Sequence, residues 1–531
     1  MALGMWSPKN GETWLLGFAV AATRFVCRSR VLYDLDSVNF GLALQHFDPR
    51  VHQPHPPGYF LYIGLGRLLQ FIVRDANLAL VVLSIVASCG AAVVIYHMAD
   101  EWFGRDAARF AGLLFLFSPL GWFHGTVALT YAVEAFFSAL IAYWCWKLAS
   151  GRMAMTEPVA ILLGIAAGVR PSSLMLLGPL YLFSLRGVPL TRAARGLVVL
   201  AATLAAWFGP MIWMSGGIAR YLGALISLWR LVPGRDTVFN SSPGTSIARA
   251  ATVAFIFVMT FGLAGVASIR LLRAGYVPDE RKRWFTVVWV LPALCFYTFI
   301  FLKFMNSGYL LILIAPGCLW LGSSAADWFR SSMWPRHLRI AVVALCAIGN
   351  TYLYTASPFY CSYRSVRRFE SELAEITQEI PRIGQPGDTL IVGFDSHFLG
   401  YRHAGYYLPG YDTVEFPGVV IGEGYRIFAM RDGQTTLSGG LPPGNWRQFV
   451  FFPLPAGDGK YADYLAGVEK KVPTGGLRTV HIARFDYVTG PISDLQVMFP
   501  AAGAPAAGVY PPLHPAAQAV NSSEHYESSI P

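Results

Sequence analysis

The chain has 531 residues, of which 54% are hydrophobic and only 14% are charged, and its net charge is +10. Soluble globular domains carry about 25% charged residues, so this composition excludes one large soluble enzyme and disorder over most of the length. The apolar residues lie in long uncharged blocks, which indicates a polytopic membrane protein. The positive charge then belongs to basic cytoplasmic loops, and we expect no nucleic acid among the partners.

Uncharged stretches long enough to cross a bilayer predict eleven transmembrane helices. They lie near residues 12–27, 77–98, 108–124, 127–147, 157–170, 172–186, 196–214, 249–269, 284–303, 308–326 and 338–357. The spans on either side of Arg170 and Pro171 are short, which favours a broken or tilted helix pair there. The apolar stretch 58–73 carries Arg67 in its middle and is interpreted as a helix on the membrane surface.

The distribution of Lys and Arg predicts the orientation of these spans. With residues 58–73 on the surface, one set of connecting segments holds 15 Lys and Arg residues and the opposing set holds 6. Cytoplasmic loops are the basic ones, so the richer set is assigned to the cytoplasm. We therefore expect an integral membrane protein with a cytoplasmic N-terminus and an extracytoplasmic C-terminus.

The composition changes after residue 361, where the predicted transmembrane domain, residues 1–361, ends. A charged amphipathic helix is predicted for residues 364–383, and strands are predicted for 388–394, 447–453 and 477–485. Together they predict a small extracytoplasmic α/β domain over residues 362–499. The Ala- and Pro-rich residues 500–531 predict a disordered tail. The fold class is thus an all-α polytopic membrane protein with a small C-terminal α/β domain.

The predicted first extracytoplasmic loop, residues 28–76, contains several candidate catalytic residues close together in the sequence. Asp34 and Asp36 come just after the first span, and a run rich in Pro and His follows them. Within a helix, residues two apart point to different faces, so we expect only one of these carboxylates to face a site. The alternative is a structural loop, because Asp36 or Ser37 before an apolar-periodic run is a good helix N-cap.

Charged side chains inside spans are costly, about 2.5–3.5 kcal/mol each on insertion scales, and mark functional sites by default. Glu134, Arg170 and Lys303 lie at the predicted outer ends of spans, facing the same compartment as the first loop. Carboxylates opposite cations suit a reaction on an anionic lipid headgroup, with Arg170 binding a phosphate bidentately. The alternatives are a structural ion pair for Glu134 and snorkelling of Lys303 to the membrane interface.

The first loop resembles that of the GT-C superfamily of polytopic glycosyltransferases, in particular the protein O-mannosyltransferase-like group and its bacterial relatives. In that family an acidic residue follows the first span, and a His-Pro-Pro segment opens a juxtamembrane helix. Asp36 and the segment His55-Pro56-Pro57 match these two elements. The family often has Asp-Glu where this chain has Asp36-Ser37, a departure that leaves Asp34 as an alternative contributor.

Later parts of the chain are similar to the family in weaker ways. Glu134 falls where relatives carry an acid after the third span, and Tyr309, preceded by Gly308, resembles a late Gly-Tyr span. The resemblance implies transfer of a hexose or pentose from a polyprenyl-phosphate-linked donor to a hydroxyl of a protein, lipid or glycan acceptor outside the cytoplasm. It implies Asp36 or Asp34 as the catalytic carboxylate. The residues implied for the donor phosphate or substrate are Arg170, Glu134, His55, Lys303 and Tyr309.

The implied chemistry agrees with these residue types. A carboxylate takes the proton of an attacking hydroxyl, and cations stabilise a leaving phosphate. No nucleotide-binding loop is needed for a lipid-phosphate leaving group, and neither GxxxxGK nor a strand-linked GxGxxG occurs in the sequence.

No cofactor is assigned from the sequence, and a divalent metal is left open. His46, His52 and His55 stand near acidic residues, but Pro54 interrupts the helical spacing of a metal motif, so substrate contacts or turn packing are favoured. Two other function classes are carried as alternatives. One is a transporter or flippase of a lipid-linked glycan, which would more often show repeated halves. The other is a non-catalytic assembly protein.

Overall fold

The structure is a computed structural model and describes residues 11–231, 243–267, 279–301, 304–416, 418–421, 424–453 and 476–499. The chain divides into two compact units. The first, here called the helical unit, comprises Met1–Arg30, Tyr59–Gly217 and Trp229–Val366. The second, the sheet unit, comprises Val31–Gly58, Ile218–Leu228 and Arg367–Pro531. By its packing, the first loop therefore belongs with the C-terminal part of the chain.

Where the structure describes it, the helical unit consists of α-helices, a π-helical turn, Tyr297–Phe301, and a 3-10 segment, Phe304–Leu313. The α-helices are Gly11–Cys27, Phe60–Val73, Ala76–Phe103, Arg105–Leu116, Pro119–His124, Tyr131–Ala149, Glu157–Val169, Ser172–Ser184, Leu190–Met214, Pro243–Phe261, Leu263–Ala267, Glu280–Phe296, Ile314–Ser331 and Arg336–Ala356.

Within the described ranges, six stretches are long and apolar enough to cross a membrane, judged by length and composition alone. They are Ala76–Phe103, Tyr131–Ala149, Leu190–Met214, Glu280–Ile300, Ser307–Ser331 and Arg336–Ala356. Five shorter apolar helices accompany them: Phe60–Val73, Glu157–Val169, Ser172–Ser184, Ile218–Trp229 and Ile247–Phe261. The predicted all-α polytopic fold is confirmed, whereas the number of eleven spans stays a prediction.

Local sequence explains where these helices begin and break. The predicted span 108–124 is divided in the structure, because Ser118 starts a new helix by accepting the N–H of Gly121 at 3.1 Å, with Pro119 in its first turn. The predicted break at Arg170 is confirmed. Arg170 precedes Pro171, whose ring disfavours helical backbone in the residue before it, and Arg170 accordingly adopts an extended conformation between two helices.

Eight strands lie in the described part of the sheet unit: β1 Thr389–Phe394, β2 Asp412–Phe416, β3 Val419–Ile421, β4 Gly424–Arg431, β5 Gln434–Ser438, β6 Gln448–Phe451, β7 Arg478–Ile482 and β8 Phe485–Pro491. Its helices are Leu35–Gln45, the 3-10 turn Pro49–Val51, Ile218–Leu231, Tyr363–Ile383, Tyr401–Tyr407 and Ile492–Met498, of which the third and fourth extend beyond the unit at one end. The strand order is β3-β4-β2-β1-β6-β8-β7, with β5 paired to β4.

Strand β1 is the centre of this sheet and pairs in parallel with β2 and β6. All of its residues are buried, as expected for a strand covered on both faces. Because the chain leaves β1 toward one neighbour and returns later to the other, the carboxyl end of β1 is the place where ligands bind in open α/β sheets. The loop that begins at Asp395 lies at this end.

The predicted strands at 388–394 and 447–453 are present as β1 and β6, and the small C-terminal sheet domain is confirmed. The predicted strand at 477–485 is wrong in part, because Ala483, with a φ of 50°, makes a turn that separates β7 from β8. The boundary between residues 361 and 362 stays a prediction. The predicted tail, residues 500–531, lies outside the described residues.

Candidate active site

Asp34 starts the first-loop helix, Leu35–Gln45. Its carboxylate accepts the backbone N–H of Asp36 at 2.8 Å, and its own backbone is extended, as an N-cap requires. The prediction that Asp36 or Ser37 caps this helix is therefore wrong. Since Asp34 lies before the helix, the argument that the two carboxylates point to different helix faces does not apply either. The second oxygen of Asp34 lies 3.6 Å from Nδ1 of His397.

Asp36 lies in the first turn of the same helix, where the helix dipole favours a carboxylate. Its Oδ1 lies 3.2 Å from Nδ1 of His55. The side chain of Asp36 is 32% exposed, whereas that of Asp34 is 16% exposed. The structure thus brings Asp34, Asp36 and His55 together, and Asp36 is the more accessible of the two carboxylates.

His397 was not singled out from the sequence, although it follows β1 at the carboxyl end of the strand. Its backbone carbonyl accepts the N–H of Leu35 at 2.9 Å, so this loop contacts the first turn of the helix twice. Loss of hydration lowers the pKa of His397, but the charges of Asp34, Asp36 and Asp395 outweigh it and raise the pKa to about 9. The imidazole is therefore cationic at neutral pH.

The pKa of Asp34 shifts in the opposite direction to that of His397. Burial raises the pKa of its carboxyl group, but the charge of His397 and the hydrogen bond from the backbone N–H of Asp36 lower it below the usual value. Asp34 and His397 therefore form an ion pair. Neighbouring Asp395 differs, because burial raises its pKa.

A buried arginine anchors the Pro- and His-rich run of the first loop to the sheet. The guanidinium of Arg402 donates to the carbonyl of Val51 at 2.8 Å, to Oγ1 of Thr435 at 2.7 Å and to the hydroxyl of Tyr401 at 2.8 Å. The side chain is almost completely buried. These bonds fix the turn that leads to His55.

The structure gives the other histidines of the loop different surroundings. His52 packs against the ring of Phe428, with centroids 5.0 Å apart, and burial lowers its pKa well below the usual value. His46 lies at the carboxyl end of the first-loop helix. Over the described ranges, no cluster of three or more His, Cys, Asp or Glu side chains is arranged to hold a metal ion.

Arg170 forms a second cluster of polar groups, within the helical unit. Its Nε lies 3.0 Å from Oε2 of Glu134, and its Nη1 donates to Oγ1 of Thr130 at 2.6 Å. The other oxygen of Glu134 accepts from the hydroxyls of Ser172 and Ser173 at 3.2 and 3.4 Å. The side chains of Arg170 and Glu134 are only 5% and 0% exposed, so this is a buried ion pair.

Aromatic rings enclose the guanidinium of Arg170. Its Cζ lies 4.5 Å from the ring centroid of Tyr131, 4.6 Å from that of Tyr309 and 5.9 Å from that of Tyr59. A Cβ atom at Gly308 would lie 2.4 Å from the Tyr131 ring, which explains the glycine before Tyr309. The structure thus brings Arg170, Glu134 and Tyr309 together. Lys303 lies outside the described residues.

The sequence of residues 50–186 matches a protein-family profile described as the Protein O-mannosyl-transferase TMEM260 N-terminal domain. This range includes His55, Glu134 and Arg170 and begins after Asp34 and Asp36. It covers less than half of the chain. No curated protein matches the sequence at a significant level.

Two solved structures share the fold of this chain. Crystal structures of ArnT from Cupriavidus metallidurans, bound to undecaprenyl phosphate and in the apo state, align with TM-scores of 0.58 and 0.54 at 13% identity. Both alignments cover 93% of this chain, and they cover 99% and 100% of ArnT. Archaeal oligosaccharyltransferase AglB from Archaeoglobus fulgidus aligns at 13% identity over 70% of this chain and 58% of AglB, and its TM-score of 0.39 is too low to support an argument.

Together, the profile match and the ArnT fold confirm the predicted resemblance to GT-C glycosyltransferases. With the apolar helices described above, they also support an integral membrane protein.

Proposed function

We propose that this protein is a membrane glycosyltransferase that moves a sugar from a polyprenyl-phosphate donor to an acceptor hydroxyl on the outer face of the membrane. The proposal rests on the surroundings of the Asp36 carboxylate. Its carboxylate is not used to cap the helix, it is partly accessible, and it lies next to His55. A carboxylate held in this way is suited to act as a general base.

In the proposed reaction, Asp36 accepts the proton of the acceptor hydroxyl as that oxygen attacks the anomeric carbon of the donor sugar. The bond between this carbon and the phosphate oxygen breaks, and the lipid phosphate leaves with the electron pair. His55 orients Asp36 through the 3.2 Å contact. Asp34 is the alternative base, but its cap and its ion pair leave it less accessible than Asp36.

Arg170 is proposed to bind the donor phosphate. Two of its nitrogens are held by Glu134 and Thr130, while Nη2 makes no hydrogen bond within the part of the chain that the structure describes. An arginine fixed at Nε and Nη1 offers its remaining N–H groups in one direction, which suits a phosphate oxygen. Glu134 then positions Arg170, Tyr309 packs on it, and Lys303 is retained as a predicted second cation.

The finer parts of this assignment come from likeness to other proteins and from the charge pattern. ArnT in complex with undecaprenyl phosphate supports a polyprenyl phosphate as the lipid, and the description of the TMEM260 profile supports mannose as the sugar. Another hexose or a pentose is retained as an alternative sugar. A protein, lipid or glycan is proposed as the acceptor. The proposed location is the bacterial inner membrane, with the N-terminus in the cytoplasm.

The test uses the purified full-length protein in liposomes with a panel of undecaprenyl-phosphate sugars that are radiolabelled in the sugar. Transfer of label to acceptors from a membrane extract, with matching release of undecaprenyl phosphate, is the expected result. Asp36→Asn is the control and should lower the rate of both about 10²–10⁴-fold. Movement of intact donor between leaflets without consumption would instead establish the transporter function. If the protein neither consumes nor moves any of the donors, the proposal is overturned and an assembly protein is favoured.

A further inference from the structure

The loop that follows β1 touches the first turn of the helix that carries Asp36. It does so through the backbone bond from Leu35 to the carbonyl of His397 and through the pair between Asp34 and the His397 imidazole. An isolated surface ion pair contributes little, but here one partner is also the N-cap of the helix. Any displacement of Asp34 therefore moves the backbone N–H of Asp36, to which it is bonded.

The titratable groups around His397 come from three segments of the sheet unit. Asp34 and Asp36 face it from the first-loop helix, Asp395 lies on its own loop, and His403 lies on the helix Tyr401–Tyr407. Burial lowers the pKa of His403 to about 4, so this side chain is neutral at physiological pH. His397 is thus a cation among acidic neighbours, and Arg402 is a second cation, whose charge acts on Asp395. Without His397, Asp34 and Asp36 would repel each other across the cap.

We propose that His397 is a positioning residue for the transfer reaction: it fixes Asp34 and thereby sets the orientation and the ionisation of Asp36. The inference rests on the proposed function. His397 stays protonated throughout and exchanges no proton with substrate, while Asp36 gains the proton of the acceptor hydroxyl. The loop after β1 is then part of the catalytic apparatus, and the C-terminal region contributes to chemistry rather than to acceptor binding alone.

The test compares His397→Gln, His397→Lys and a matched control in the full-length protein. The control, His481→Gln, breaks another His–Asp pair of the sheet unit, in which Nδ1 lies 2.7 Å from Asp486 on an exposed hairpin. With the donor that the wild type consumes, His397→Gln should lower kcat about 10–10²-fold, as expected when a reacting group is misplaced. The KM for donor should change less than twofold, and His481→Gln should behave as wild type.

The pH profile separates positioning from a general loss of structure. Removing a cation raises the pKa of nearby carboxylates, so the acidic limb of kcat/KM should move to higher pH in His397→Gln. His397→Lys keeps the charge and should restore the position of that limb. Hydrogen–deuterium exchange should report faster exchange at residues 35–40 in His397→Gln, with the sheet strands unchanged.

The outcomes distinguish this inference from the function on which it rests. An unchanged kcat and pH profile in His397→Gln, with an active wild type, would overturn the positioning role alone. A limb that shifts equally in His397→Lys would also overturn it, because the charge would then not matter. A wild type that consumes no donor would overturn the proposed function itself, whatever the exchange data show.

Discussion

Replacing both partners of the buried pair formed by Arg170 and Glu134 is predicted to be less destabilising than replacing either one. The two side chains are almost completely buried and lie 3.0 Å apart. Removing one partner of such a pair leaves an uncompensated buried charge and costs about 3–5 kcal/mol. In Arg170→Met with Glu134→Gln no charge remains, and the main loss is the hydrogen bond to Thr130, which contributes about 1 kcal/mol.

The assay is a double-mutant cycle. Apparent free energies of unfolding in mixed detergent micelles are measured for the wild type, both single variants and the double variant. A coupling energy of about 5–9 kcal/mol is expected if each single variant leaves a buried charge, because two single losses of about 3–5 kcal/mol are compared with a double-variant loss of about 1 kcal/mol. Additive losses would refute the reasoning, because the two side chains would then not depend on each other.

The same variants separate the structural role of Arg170 from phosphate binding. The double variant is expected to fold yet to bind undecaprenyl phosphate about tenfold or more weakly, since hydrogen bonds to charged groups contribute about 1.5–3 kcal/mol. Arg170→Lys should keep the fold because it keeps the charge, but it should also bind the lipid more weakly because it lacks the planar fork. Wild-type affinity in the folded double variant would make Arg170 a purely structural residue.

Three further predictions concern the first loop, the His397 pair and the topology. Asp36→Asn should lower the transfer rate about 10²–10⁴-fold with an unchanged melting temperature. Asp34→Ala should instead lose about 1 kcal/mol of stability, because it removes the helix N-cap. If Asp36→Asn transfers sugar as fast as the wild type measured beside it, Asp36 takes no part in the chemistry. Folding raises the pKa of His397 from 6.5 to about 9. The wild type should therefore be more stable than His397→Gln by its full margin below pH 6.5, and this margin should vanish as the pH rises through 9. A difference in melting temperature that stays constant from about pH 6 to 10 would contradict this prediction. A reporter enzyme that is active only outside the cytoplasm, fused after Pro531, should be active, and activity of a cytoplasm-only reporter at the same position would reverse the topology.

Local patterns predicted the parts of the fold that depend on neighbouring residues. Pro171 forces the residue before it out of the helix, so the break that places Arg170 could be predicted from sequence. The continuous apolar run in 388–394, which follows a Pro-Gly turn, likewise predicted the central strand. The first-loop acids were found because they stand directly after a predicted span.

Long-range pairing was not predictable in the same way. Hydropathy identifies that Glu134 and Arg170 are both buried, but it does not say that they contact each other. The partner of Asp34 lies in another part of the chain, and no periodicity connects them. A usable signal did exist, because Asp395 and His397 directly follow a strand whose apolar sequence predicts burial on both faces.

The sheet unit is assembled from Val31–Gly58, Ile218–Leu228 and Arg367–Pro531, and this order has a consequence for biosynthesis. Asp34 leaves the ribosome long before His397 does, and at about 5–20 residues per second the interval is roughly 20–70 s. Over that time the nascent first loop is without the strand, the anchoring Arg402 and the imidazolium that hold it in the finished protein. On the mechanism proposed here, a growing chain reaches its full rate of donor consumption only after His397 has been translated, and a chain truncated before that point is expected to be much less active.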